Sequence, residues 1–443
     1  MEHLLELAKE KKYRLLKEEL VELNEVDIAS FIEELDSERT VIVFRMLPKA
    51  LATEVFAELP VDKQSHIINS ITDKELSEIV DELYVDDAVD LVEELPATVV
   101  RRVLQNTKPE TRKLINQFLN YPENSAGSLM TIEYVDLHDY FTVRKAMDYI
   151  RRTGIDKETV YTCYVIDDQR KLVGQVCLRK LIIAPESACI RDIMDTNIVS
   201  AVTTDDQEAV ADDFRRYDLT SIAVCDKENR LVGIITIDDI VDVIQDENTE
   251  DIKKMAAIIP SDEDYMKTSV WSLVAHRLPW LMLLMISATF TSTIITHFET
   301  LLSGAVLLTA FIPMLMDSAG NSGSQTSVTV IRNLALGEIE LRDWPHVLAK
   351  EIGVAVVSGA ALALVNFLRI IIFTSTSMMI AAVVSVTLFC TVIIAMIVGC
   401  LLPIGAKKLG FDPAVMASPM ITTIVDACSL MIYFLIATSM LGL

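Results

Sequence analysis

One carboxylate in this chain stands where a carboxylate is expensive. Asp426 lies about ten residues into an apolar run, Met416 to the C-terminus, that is long enough to cross a bilayer as one helix. An ionised side chain at that depth costs roughly 3 kcal/mol or more unless it meets water, a cation or a partner. Thr422, Thr423 and Ser429 lie one turn to either side, which makes that helix face polar. Two chemistries fit: a protonated or hydrogen-bonded Asp that ties helices together, or a cation site. Other acids come in groups. Asp238, Asp239, Asp242, Asp246, Glu247, Glu250 and Asp251 crowd one helix end and the start of the next. Like charges so dense repel unless solvent, salt or a divalent ion compensates. Asp86, Asp87 and Asp90 form a further acidic edge, which composition alone leaves equally as a solvated face.

The elements that must position these groups differ along the chain. Of 443 residues, those from Trp271 onward hold 7 Lys+Arg against 8 Asp+Glu, while the part before it holds 32 against 56. An acidic soluble half therefore precedes a nearly neutral membrane half. So acidic a surface argues against nucleic acid as a partner, which needs basic patches, and favours cations. Seven scattered cysteines without a CxxC spacing read as reduced core residues facing a cytosol. The opening MEHLLELAKEKKYRLLKEEL has no apolar signal core, so the soluble half is expected to stay cytoplasmic. No Ser/His/Asp, paired-acid or metal-ligand constellation stands in that half, and no Walker A sequence occurs. The chain reads as neither an enzyme nor a P-loop pump.

Up to residue 123 short helices follow each other between breakers such as Pro48, Pro60, Pro96 and Pro109. VDIASFIEEL, ATEVFAELP and DDAVDLVEELP resemble one another, which predicts a helical solenoid. Residues 124–247 alternate β and α texture and repeat themselves. SAGSLMTIEYVDLHDYFTVRKAMDYIRR aligns with IRDIMDTNIVSAVTTDDQEAVADDFRR, and CYVIDDQRKLVGQV with IAVCDKENRLVGII. The two copies, about 124–186 and 187–247, resemble a tandem CBS pair, an adenosine-ligand and regulatory module. Nucleotide-holding CBS modules commonly offer Ser/Thr and Asp three apart to the ribose. Thr236 and Asp239 match, whereas Cys177 and Lys180 break the pattern in the first copy. An adenine nucleotide such as ATP is thus a candidate ligand beside a purely structural pair.

Residues 248–270 are expected to form an amphipathic connector, helical from Asp251 to about Thr268. Five apolar spans follow within 271–443: about Leu278–Thr296, Leu301–Met316, Ile352–Thr374, Met378–Leu402 and Met416–Leu441. Pro313 and the glycines after it suggest that the second bends or ends in the bilayer. Arg277, Arg332, Arg342, Lys350, Lys407 and Lys408 fall on one side and Arg369 on the other. That bias predicts an N-terminus inside and a C-terminus outside. The expected fold is a multidomain membrane protein: α-helical solenoid, tandem α/β CBS pair, connector helix and a five-helix all-α transmembrane domain.

The order of these parts, with the motifs GNSGSQTS and DPAVMASPMITTIVDACSLMIYF, resembles the MgtE family of magnesium channels and transporters over essentially the whole chain. The resemblance implies a homodimer in the plasma membrane, with a pore between two membrane domains. It implies that Asp426 lies in that pore and faces hydrated Mg²⁺, with Asn321 near the path. It further implies that cytosolic Mg²⁺ closes the pore by bridging acids. These are Asp86, Asp87 and Asp90, then Glu208 and Asp218 in the second CBS copy, then Asp239, Asp242, Glu247, Glu250 and Asp251. The physics agrees, because Mg²⁺ keeps several waters and one or two carboxylates suffice to hold it. Asp317 departs from the family pattern, where a small residue is common. Alternatives are an ion-coupled exchanger of Mg²⁺ or Co²⁺, and a membrane-bound nucleotide sensor built on the CBS pair.

Overall fold

The structure is a computed structural model that describes residues 1–261, 265–266, 268–298, 306–374, 377–416 and 418–441. They divide into two compact units, Met1–Gln245 and Asp246–Leu443.

The first unit opens with ten short helices: α1 Glu2–Lys9, α2 Tyr13–Leu20, α3 Glu25–Glu33, α4 Ser37–Met46, α5 Lys49–Ala57, α6 Val61–Ser70, α7 Asp73–Glu82, α8 Val85–Glu94, α9 Ala97–Asn106 and α10 Pro109–Phe118. Most begin where the sequence supplies a cap or a break. The Asn24 and Asp36 side chains accept from the backbone N–H groups of Val26 and Arg39, and Thr72 with Glu75 forms a capping box. Pro48, Pro60 and Pro96 precede α5, α6 and α9. Most apolar positions of the three similar segments are buried, among them Phe31 and Ile32, Val55 and Phe56, Val89 and Val92. α3 packs on α5, α5 on α7 and α7 on α9, as in a stacked solenoid. Helix ends left with open carbonyls are met by cations from farther along the chain. Lys63 Nζ donates to the Leu35 carbonyl at 2.5 Å, and Arg102 donates to that of Ile71 at 2.7 Å.

Next come α11 Ala126–Leu129, β1 Asp136–His138, α12 Val143–Thr153, β2 Thr162–Ile166, β3 Leu172–Cys177, α13 Leu178–Ile183 and α14 Ile190–Ile193. The second copy follows with β4 Ser200–Val202, α15 Gln207–Tyr217, β5 Ser221–Cys225 and β6 Leu231–Thr236. The internal repeat becomes two three-stranded sheets of identical topology, β1-β2-β3 and β4-β5-β6. In each, the first pair is parallel and the second antiparallel. Thr131 exchanges backbone hydrogen bonds with Ile234, and Gln175 with Asp195, so each copy finishes the edge of the other. The repeated Met and Gly form reciprocal contacts. A Cβ on Gly174 would lie 2.5 Å from Met194 Sδ, and one on Gly233 2.7 Å from Met130 Sδ.

α16 (Ile237–Met255) leads into the second unit. The connector helix therefore lies earlier than the Asp251–Thr268 expectation. It stops because Ala257 adopts φ 55° and the amides of Ala257 and Ile258 close on the carbonyls of Lys254 and Lys253, a left-handed helix terminator. Among the described residues no helix runs between Met255 and Val270; residues 262–264 and 267 of the expected helix lie outside them.

The membrane half contains α17 Val270–His297, α18 Ile312–Ala335, α19 Trp344–Phe373, α20 Met378–Lys408 and α21 Ser418–Leu441. Four of these, all but α18, are long and apolar enough to cross a membrane by length and composition. The second expected span falls partly outside the described residues. Its Gly/Ser-rich part does not end a helix. Pro313 sits in the first turn of α18, where its missing N–H costs nothing, and the helix continues through GNSGSQTS. α18, α20 and α21 pack together at small residues. A Cβ on Gly399 would lie 2.3 Å from the Gly323 carbonyl oxygen, and one on Gly323 3.0 Å from Ile421 Cγ2. Backbone meets backbone there. Gly399→Val is expected to cost about 2 kcal/mol or more by forcing α18 and α20 apart. Gly353→Ala, at a position with nothing within 4 Å, should be harmless. Thermal melting of the detergent-solubilised protein checks both, and equal melts would refute the close contact.

Candidate functional site

In the first unit α8 buries Val85, Ala88, Val89, Leu91 and Val92, leaving Asp86, Asp87 and Asp90 along its edge. Asp239, in the first turn of α16, faces the same place, as do Glu133 and Glu158 from the first CBS-like copy. Burial, then the charges of Asp87 and Asp239, hold the Asp86 carboxyl well above the usual carboxylate range, against a 3.1 Å hydrogen bond from Asp87 N. Burial first and then Asp239, Glu58, Glu133 and Asp238 push Asp87 up to about 6. Asp239 is pushed to about 6 by burial and Asp238, although the Thr236 hydroxyl donates to it at 3.0 Å. Glu158 rises to about 7 through burial, Asp238, Asp239, Asp87 and Glu133. Asp90 reaches solvent, yet partial desolvation and its neighbours Asp87, Glu93 and Glu94 move it to about 7. No cation is among the leading charges on any of these five. Among the described residues the leading charges on these five are all negative, which favours their protonated forms.

Asp242 stands one turn further along α16 and adds to the field on Asp239 and Glu58. Glu208 and Asp218 are not brought in. They sit exposed at the two ends of α15, where Asp218 takes a left-handed φ of 51° as its cap. Sequence reading missed Glu58, Glu133 and Glu158, which are isolated acids that only the packing of separate segments assembles. The ribose-type pair Thr236 and Asp239 lies inside this acidic surface, and its counterpart Lys180 is ion-paired to Asp195 at 2.6 Å.

The second unit holds another acidic group. Lys254 bridges Glu250 at 2.5 Å and Asp412 at 2.8 Å. Burial opposes its charge, but the hydrogen bonds and charges of Asp412 and Glu250 outweigh it and raise the ammonium pKa. Asp251 is raised by burial and by Asp412, against the pull of Lys254. Glu247 adds to that field. The end of α16 is thereby held to the loop before α21. Met255 packs on Ile331 and Ala414, and Arg332 donates to Asn248 at 3.2 Å. Asp412 was not singled out from sequence, although an Asp-Pro step directly before the last span was a usable signal.

In the membrane half, Asp317, Asn321 and Gln325 are four residues apart and make one exposed polar stripe on α18. Asp426 on α21 is half-buried, and Asp317 is the charge that acts on it. Among the described residues no donor bonds the Asp426 carboxylate. The hydroxyls of Thr422 and Thr423 donate to the Pro419 carbonyl at 3.0 Å, so they turn only lone pairs outward. Ser429 is buried. Thr422 packs against Gly320, where a Cβ would come within 3.2 Å of its methyl, and this seats α21 on the α18 stripe. Among the described residues no three Asp, Glu, His or Cys side chains converge tightly enough to hold one bare metal ion. An ion that keeps its water shell needs no such cage.

Comparison with known proteins covers each part. A family profile described as a divalent cation transporter matches residues 312–436, which include α18 and Asp426. Profiles for the MgtE intracellular N domain and the CBS domain match 23–124 and 190–246. A magnesium transporter MgtE of Thermus thermophilus is 35% identical over 99% of this chain and 98% of its own. One from Bacillus subtilis is 32% identical over 98% and 95%. Among solved structures, the cytosolic domain of the Mg²⁺ channel MgtE in complex with ATP is similar at 37% identity and a TM-score of 0.51, covering 54% of this chain and 98% of that one. The soluble part of a magnesium transporter is similar at 31% identity and a TM-score of 0.52, covering 55% and 96%. The soluble repeat and sheet pair thus precede a membrane half that matches a divalent cation transporter profile, and the chain belongs to the MgtE family of divalent cation transporters.

Proposed function

We propose that this protein is a Mg²⁺-selective, channel-like transporter of the plasma membrane that admits Mg²⁺ down its electrochemical gradient. The observation that carries this reading is Asp426: a half-buried carboxylate in an apolar span, without a described donor, beside the Asp317–Asn321–Gln325 stripe. Hydrated Mg²⁺ matches a lone carboxylate surrounded by amide and hydroxyl oxygens. An inside-negative potential of about 100 mV gives a divalent ion roughly 4.6 kcal/mol, enough for uptake without ATP. The stripe is exposed in one copy of the chain, and α17 buries no residue, which supports a homodimer with the path between copies. The basic residues favour a cytoplasmic N-terminus and an outer C-terminus.

Cytosolic Mg²⁺ closes this path by neutralising the acidic surfaces. Asp86, Asp87, Asp90, Asp239 and Asp242 would hold it in the first unit, with Glu133 and Glu158 added. Glu247, Glu250, Asp251 and Asp412 would hold it beside the last span. Glu208 and Asp218 remain candidates on a surface shared with a second copy. A relative's cytosolic domain is known in complex with ATP, and Thr236 with Asp239 would offer a ribose contact here. The acidic setting favours a nucleotide that arrives with its own divalent ion.

Dye-monitored Mg²⁺ uptake into proteoliposomes under an imposed potential tests the reading. Uptake that follows the potential without a proton or sodium gradient, and that falls as luminal Mg²⁺ on the soluble-domain side rises, is expected. Uptake that tracks a proton or sodium gradient instead would establish a coupled exchanger, and absence of any flux would favour the sensor reading.

A further inference from the structure

The basic residue set apart from the others, Arg369, occupies an unusual place. It lies four residues before the end of α19, about 6 Å along the axis from Phe373, at the boundary of the apolar span. Its side chain is exposed, and its neighbours Val365, Leu368, Ile372 and Phe373 expose between 48% and 82% of their surface. A cavity of about 500 Å³ opens beside it, lined by Ala310, Phe311, Met314, Arg369, Phe373 and Thr374. Arg369 is the charged residue in that lining.

The guanidinium is also aimed. Its Nη2 donates to Asn366 Oδ1 at 3.0 Å, and Asn366 is only 5% exposed and bonds Ser385 at 3.4 Å in turn. The same Nη2 lies 3.0 Å from the Met314 sulfur, which closes the other side. Both contacts use one nitrogen. Among the described residues no carboxylate lies within ion-pair distance, and no acceptor is bonded to Nε or Nη1. The N–H groups at Nε and Nη1 are left to donate, and an always-charged guanidinium is costly to leave unmatched against hydrocarbon. Neither function proposed above uses this site.

We infer that Arg369 and its cavity form a phospholipid site: the phosphodiester oxygens accept from the guanidinium N–H groups at Nε and Nη1, and an acyl chain lies along Phe311, Met314 and Phe373. The apolar lining and the position at the end of a span favour a lipid over a free anion, whose remaining charge would meet only Ala, Phe and Met.

Native mass spectrometry of the full-length protein, with phosphatidylglycerol titrated into delipidated detergent samples, tests this. One saturable lipid per chain is expected, weakened at least tenfold in Arg369→Gln and less in Arg369→Lys. Ala310→Trp, which fills the cavity and keeps the charge, should weaken it similarly. Thermal melts accompany each variant, so that a loss counts only when the protein remains folded. If Arg369→Gln disturbs folding, Ala310→Trp and Arg369→Lys decide. Wild-type lipid affinity in folded Arg369→Gln or Ala310→Trp would overturn the proposal. So would displacement of the lipid by millimolar inorganic phosphate, which would mark a free-anion site.

Discussion

Asp426→Asn is expected to lower Mg²⁺ uptake in proteoliposomes more than tenfold while the protein still folds and melts normally. The substitution keeps size and shape and removes only the charge. A carboxylate about 5 Å from a divalent ion, with water between and an effective dielectric near 20, contributes on the order of 6 kcal/mol of attraction. The ion's water shell and alternative oxygens recover part of that, so a residual loss of about 2 kcal/mol, or roughly thirtyfold, is a modest expectation. Asp317→Asn should cost less, because Asp317 is exposed and acts on the site through its charge on Asp426. Normal flux in Asp426→Asn would return that residue to a structural role and move attention to Asn321 and Asp317.

The acidic surface of the first unit should respond strongly to both protons and Mg²⁺. Asp87 and Asp239 are pushed to about 6, and Asp90 and Glu158 to about 7. An acid whose folded pKa lies above its unfolded value near 4 binds its proton more tightly when folded. Its contribution to stability is therefore full below about pH 4 and is lost as pH rises through 6 to 7. In a divalent-free buffer, hydrogen exchange in α8 and the first turn of α16 should be slower at pH 5.5 than at pH 8, after correction for intrinsic rates. A gain on the order of 1 kcal/mol or more is expected, since several groups titrate together. Millimolar Mg²⁺ at pH 8 should restore the same protection. A combined Asp87→Asn, Asp239→Asn, Glu158→Gln protein should be protected at pH 8 and indifferent to Mg²⁺. Protection in the unchanged protein that ignores both pH and Mg²⁺ would show that these acids are simply solvated.

The two expectations have different origins in the chain. Asp426 is visible in sequence because a charge inside an apolar run violates the local pattern, and the violation survives any folding. Glu58, Glu133 and Glu158 violate nothing where they stand. They matter because the solenoid and the first CBS-like copy bring them against α8 and α16. The connector shows the opposite error. Helical periodicity continued past Met255, but a left-handed Ala257 closed the helix there, and nothing in residue type marks an alanine for that conformation. Likewise the Gly/Ser-rich stretch read either as a bend or end of the helix or as a place of close helix packing. It is the middle of α18, because glycine's low helix propensity yields to the close contact of Gly323 with Gly399.

By itself, the sequence determined what depends on composition and short-range pattern. That includes the acidic soluble half, the helical repeat, the duplicated sheet unit, the apolar spans, and the single carboxylate at membrane depth. These follow from hydrophobic periodicity and from the cost of charge in hydrocarbon, both of which act residue by residue. Tertiary structure alone decided which acids share one surface, that Thr422 packs against Gly320, and where Lys254 finds Asp412. Those outcomes depend on distances between segments far apart in the chain, and electrostatic coupling is set by such distances and by burial.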